Sequence, residues 1–269
     1  MTDETNSRWI HLDGAVNVRD LGGLPTVDGG TTRRDRLIRA DNLQGLTPAD
    51  VHTLLDVHRV RAIADLRTGV EVEYEGPGPM TREPVVTIHH LSLYPEAGHN
   101  TDVAALDDDG VAVLPWQNDE VDARTDAPKS AGDYYLRYLH ARGDSIVAAL
   151  RLIAETDGAT IVHCAAGKDR TGVVVALTLA EIGVERQAIV DDYALSAERI
   201  QDIFARLRAS DTYAEDLAAQ SIDKHRPRAH TMAELLDAID ADFGGVRVWL
   251  RSQGWTDDDA SALRKQLVD

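Results

Sequence analysis

Thr160-Ile161-Val162-His163-Cys164-Ala165-Ala166-Gly167-Lys168-Asp169-Arg170-Thr171-Gly172-Val173-Val174-Val175-Ala176-Leu177 begins as a short apolar run, passes through a glycine-containing loop and becomes apolar nearly all round. A short run led by three β-branched residues fits a buried strand, and an all-round apolar helix fits burial behind a parallel sheet. Working outward, Leu37-Ile38-Arg39 and Val60 to Leu66 read as buried strands, with a helix opened by Thr47-Pro48 between them. Val85 to Ile88 reads as another strand. Pro95 to Ser130, carrying Asp107-Asp108-Asp109-Gly110, reads as a loop-rich insertion. A helix is expected from about Tyr134 to Ala154, with Ile146, Leu150 and Ile153 facing the core. Further helices are expected over Arg186–Arg208, Met232–Ala241, Val246–Gln253 and Asp257–Leu267. Without repeats or long low-complexity tracts, the 269 residues read as a single α/β domain with a central, mostly parallel sheet flanked by helices.

Five residues separate Cys164 from Arg170, and with 24 arginines in 269 residues chance supplies such an arginine roughly one time in eleven. The context decides. A loop between a buried strand and a buried helix can aim the successive N–H groups of Ala165, Ala166, Gly167, Lys168, Asp169 and Arg170 at one tetrahedral anion. Gly167 lets the loop turn without a Cβ clash, and Arg170 offers a planar fork to two oxygens. The helix N-terminus and the arginine together favour a thiolate at Cys164, which is a nucleophile. His163 is expected to shape the loop backbone, and the Thr171 hydroxyl to lie near the sulfur. Lys168 is one of only four lysines and adds a second cation to the anion site.

The net charge of −18 disfavours nucleic acid or an anionic membrane as a broad partner, so any anion site is local. A single cysteine makes no intramolecular disulfide and no cysteine-based metal cluster. The polar, acidic start of the chain is not a signal peptide, and no apolar run approaches membrane-spanning length, which leads to an expectation of a cytoplasmic protein without integral membrane association.

The run from His163 to Gly172, with Lys168-Asp169 before the arginine, resembles the active-site loop of a bacterial tyrosine phosphatase family. Asn17-Val18-Arg19-Asp20-Leu21-Gly22-Gly23, Leu37 to Asp41, Asp65-Leu66-Arg67, Asp192 to Ser196 and Gly244 to Leu250 resemble its other blocks, so the likeness spans nearly the whole chain. Ala40, where a serine is usual, and Gly244 depart from it. The resemblance implies a cysteine-phosphatase-like fold and hydrolysis of phosphotyrosine, with phosphoserine, phosphothreonine and phosphoinositides as further substrates. Phosphorylated protein or phosphoinositide would be the partner and inorganic phosphate the product, with no cofactor or metal. In this reading Cys164 attacks phosphorus, and Arg170 with His163, Ala165, Ala166, Gly167, Lys168 and Thr171 forms the substrate-binding loop. Asp169 protonates the leaving oxygen, with Asp65, at a strand end on the same rim, as its competitor. Arg19, Asp20 and Arg67 are candidates for holding the loop or the substrate. Residues 197–240 occupy the position of a helical lid. The rivals are a sulfurtransferase, an arsenate reductase, which usually needs further cysteines, and a non-catalytic phosphate-binding module, which usually lacks the Cys or the Arg.

Overall fold

The computed structural model describes residues 7–94, 131–218 and 220–269. The expected insertion at 95–130 and the first six residues lie outside them. Five strands, β1 (Arg19–Asp20), β2 (Leu37–Ala40), β3 (Val60–Asp65), β4 (Thr87–His90) and β5 (Ala159–His163), form one sheet in the order β1-β2-β5-β3-β4. The β2, β5, β3 and β4 strands run parallel, and only β1 is antiparallel to its neighbour. Residues alternate between faces: Leu37, Ala64 and Val162 pack into one apolar cluster, and Ile38, Ile63 and Ile161 into another on the opposite face. Each fully buried Leu, Ile or Val contributes about 1.5–3 kcal/mol, so both faces are strongly held.

The register matters for the site. His163 lies opposite Ala40 on one side and Asp65 on the other, so β2, β5 and β3 end level. The connection leaving β5 therefore emerges at the carboxyl edge of the sheet, where α/β folds place ligands.

The helices are α1 (Pro48–His52), α2 (Gly69–Glu75), α3 (Ala131–Ala141), α4 (Gly143–Glu155), α5 (Asp169–Glu181), α6 (Arg186–Leu195), α7 (Ile200–Ala209), α8 (Ala214–Ala218), α9 (Ala229–Phe243), α10 (Val246–Ser252) and α11 (Asp257–Leu267). Most of α5 is buried, including Val173 to Leu177. Two expectations shift. The helix expected from Tyr134 to Ala154 is broken at Arg142, whose backbone (φ −137, ψ 45) is not helical and whose side chain bonds Asp144 and Ser145 one turn ahead. Ile146, Leu150 and Ile153 are fully buried in α4. The strand expected at Val85–Ile88 begins at Thr87 because Val86 donates to Glu83 O (3.0 Å), closing a turn instead.

Candidate active site

Cys164 follows the last residue of β5, and Asp169 begins α5, so strand, loop and helix meet within six residues. Gly167 has φ +63, and a Cβ there would run into the backbone of Ala40 and Asp41. Only glycine fits both constraints.

The loop carbonyls are fastened from behind. Asn17 Nδ2 donates to Ala166 O (3.0 Å) and Gly167 O (3.1 Å). Arg39 Nη2 donates to Gly167 O (2.8 Å), and the Asn42 amide to Ala165 O (3.0 Å). Among the described residues the amides of Ala165, Ala166, Gly167 and Lys168 donate to no protein acceptor. The first amides of α5 lack intrahelical acceptors as well. Carbonyls turned back and amides left over make an anion cradle, reinforced by the positive end of the helix.

A buried charge lattice supports Asn17 and Arg39. Asp192 in α6 accepts from Arg19 Nε (3.0 Å) and Arg39 Nη1 (2.8 Å), and Arg19 Nη1 holds Asn17 Oδ1 (2.8 Å). Burial would raise the Asp192 carboxyl, but Arg19, Arg39 and Arg8 outweigh it and hold it well below the usual range. Burial and the Arg39 charge press Arg19 down to about 9, still protonated at neutral pH. Asp20, by contrast, accepts the amides of Gly22 (3.0 Å) and Asp35 (3.1 Å) and shapes a turn away from the cavity.

Cys164 is 2% exposed, and Thr171 Oγ1 donates to its sulfur at 3.3 Å. Arg170 Nη1 and Nη2 meet both oxygens of buried Glu71 (2.6 and 2.9 Å). Burial would raise Glu71, but the charge and hydrogen bonds of Arg170, the Thr68 amide and the Arg67 charge together outweigh it and hold the carboxyl below its usual value. Glu71 is delivered by a capping box, Thr68 and Glu71 exchanging hydrogen bonds at the start of α2. The guanidinium fork expected to face an anion thus also grips an internal carboxylate, and its five donors allow both.

A cavity of about 660 Å³ opens over the loop, with Cys164, Ala165, Ala166, Lys168, Asp169 and Arg170 at its floor. Six of the seven tyrosines line it. Asp169 Oδ2 lies 3.2 Å from Lys168 Nζ, while Oδ1 accepts from Tyr135, whose hydroxyl also meets that of Tyr193 (2.8 Å). Burial and Asp169 keep the Tyr135 phenol protonated, so it serves as donor. The Asp169 side chain remains 34% exposed, open to the cavity.

His163, Gly167 and Thr171 are in the loop region but not on the cavity wall, and Asp65 is also absent from it. His163 points back, its Nε2 3.6 Å from Asp65 Oδ1, and burial lowers it to about 4, hence neutral at pH 7. Burial would raise Asp65, but His163 and the Arg67 hydrogen bonds hold it well below the carboxylate range. Asp65 is thus bonded to Arg67 at the strand end and stands off the cavity wall, whereas Asp169 stands on it.

The segment after α6 forms a wall. Lys168 Nζ donates to His225 O (2.8 Å), Tyr213 OH to Glu71 Oε1 (3.1 Å), and Leu207, Asp216 and Lys224 face the same cavity. Sequence reasoning named no role for Asn17, Arg39, Glu71, Asp192 or Tyr135. Thr68-x-x-Glu71 was the one local signal available, a capping box, and it says nothing of Arg170.

Residues 10–269 match the tyrosine phosphatase family. A tyrosine-protein phosphatase of Nostoc commune is 29% identical over 87% of this chain and 74% of its own length. The triple specificity protein phosphatase PtpB of Mycobacterium tuberculosis is 28% identical over 96% of this chain and 98% of its own. A putative tyrosine-protein phosphatase of Cupriavidus necator is 27% identical over 90% and 82%. With the match running through sheet, loop and cavity wall alike, the chain belongs to the tyrosine phosphatase family and is a phosphatase, a hydrolase acting on phosphorylated substrates.

Proposed function

We propose that hydrolysis runs through a phosphocysteine at Cys164, with phosphotyrosine as the principal substrate. The observation that carries this reading is the meeting of Cys164, Arg170 and Asp169 on one cavity floor beneath amides whose carbonyls are tied behind them. The Cys164 thiolate forms the S–P bond as the P–O bond to the leaving group breaks. Asp169 gives its proton to the departing oxygen. Water then attacks phosphorus, the S–P bond breaks, Asp169 takes the water's proton and inorganic phosphate leaves. The loop amides and Arg170 hold the equatorial oxygens throughout. Thr171, at hydrogen-bond distance from the sulfur, eases departure of the thiolate in the second step. Tyr135 holds the Asp169 carboxyl toward the cavity.

The tyrosine-lined walls suit an aryl phosphate. Phosphoserine, phosphothreonine and phosphoinositides are further substrates in this reading, supported by Lys168 on the cavity wall beside Cys164 and by the likeness to a mycobacterial phosphatase named for triple specificity. The wall from α7 to the start of α9 acts as a lid; partial deletion should speed alkylation of Cys164, and an unchanged rate would make it a fixed wall.

Cys164→Ser tests the mechanism: turnover of phosphopeptides, assayed with a chelator present, should fall by at least about 10³-fold while phosphate affinity survives. Turnover within about tenfold of the parent would overturn the covalent route.

A further inference from the structure

Lys224-His225-Arg226-Pro227-Arg228-Ala229-His230 is a basic run without a carboxylate in a chain whose net charge is −18, and it stands at the mouth of the Cys164 cavity. Five cationic and two anionic side chains line that cavity, the reverse of the molecule's overall balance. Lys224, Arg226 and Arg228 are exposed, whereas Cys164 and Arg170 are 2% and 6% exposed on the floor. Arg226 and Arg228 share a single carboxylate, Asp223 (3.5 and 3.2 Å). Lys224 makes no side-chain hydrogen bond or ion pair among the described residues. Positive charge is therefore in surplus at the rim, and the Lys168 bond to His225 O ties that rim to the loop.

We propose that Lys224, Arg226 and Arg228 form a second anion-recognition surface that selects phosphorylated peptide segments carrying Asp or Glu beside the phosphorylated residue. This rests on the phosphocysteine reading for the primary phosphate and adds the sequence context of its carrier. Depth decides between kinds of anion. A second phosphate on the same inositol ring would enter the tyrosine-lined cavity with the first, whereas neighbouring residues of an extended chain, about 3.3–3.6 Å apart, remain outside at the rim. An exposed charge pair changes affinity about two- to fivefold and is screened by salt, so the three cations together give an effect on the order of tenfold.

The test compares phosphotyrosyl peptides of equal length with acidic or neutral flanks, and a soluble inositol bisphosphate, on the parent and on the Lys224→Glu/Arg228→Glu protein. The acidic peptide should show about tenfold higher kcat/KM than the neutral one at low salt, shrinking toward equality in about 0.5 M salt. The double substitution should erase or invert that ratio. Equal kcat/KM for the two peptides in the parent, or a ratio that survives the substitution, overturns the proposal. So does a loss confined to the inositol bisphosphate. The same peptides bound to Cys164→Ser protein, read as Kd, should show the same preference. If that preference is present while Cys164→Ser still turns over, the rim is supported and the nucleophile assignment fails. If it is absent from Kd and rate alike, the rim fails.

Discussion

Behind the phosphate loop, Arg19, Arg39 and Asp192 are buried and locked into mutual hydrogen bonds, with Asn17 and Arg39 carrying the loop carbonyls. In front of it, Lys224, Arg226 and Arg228 are exposed, only the two arginines pairing with one carboxylate, Asp223, and Asp169 is tied to Lys168 and Tyr135 yet open to the cavity. Similar side chains thus serve two purposes. Buried and paired with counter-charges, they fix the cradle's shape, because losing the Asp192 carboxylate would leave an uncompensated charge. Exposed and partly paired, they remain available to a substrate.

The sharpest way to break this contrast is at Asp192. Asp192→Asn leaves Arg19 and Arg39 buried without a counter-charge and should cost about 3–5 kcal/mol of stability, seen in urea unfolding. A loss under about 1 kcal/mol would show that the lattice does not hold the loop. The Lys224→Glu/Arg228→Glu protein should by comparison unfold within about 0.5 kcal/mol of the parent, as surface changes usually do.

His163 belongs to the rear and gives it a pH signature. Its folded value of about 4 lies below the usual 6.5, so the unfolded chain binds a proton that the folded one refuses between those values. Its contribution is present above about pH 6.5 and is lost as pH falls toward 4, amounting to about 3 kcal/mol. His163→Gln should flatten unfolding free energy over that window. A slope identical in the two proteins would place the titration elsewhere.

On the front side, Asp169→Asn should slow a phenyl or alkyl phosphate on the order of 10²-fold while sparing nitrophenyl phosphate, whose leaving group needs little protonation. Asp65→Asn should show no such leaving-group dependence, though it will loosen Arg67. The reverse pattern would return the acid role to Asp65.

These two regions were unequally legible. The strand, loop and helix around Cys164 could be read because their signals are local: a β-branched run, Gly167, then an apolar helix. The rear lattice could not, since Arg19 and Asp192 are 173 positions apart and Glu71 and Arg170 are 99 apart. Asp65 sits at a strand end on the correct rim, which made it a plausible acid. Its contact with Arg67, two residues on, and its place off the cavity wall appear only in the folded chain. The break at Arg142 was hidden because the apolar spacing of Ile146, Leu150 and Ile153 continues the helical pattern past it.

The most direct measurement of the central claim is a rapid acid quench of the parent enzyme during turnover of a phosphotyrosyl peptide, followed by mass spectrometry of the fragment containing Cys164. Phosphate should be found on that cysteine within the first turnover and be missing in Cys164→Ser. Full-rate hydrolysis with no phosphorylated Cys164 at any quench time, or with phosphate on another residue, would contradict it.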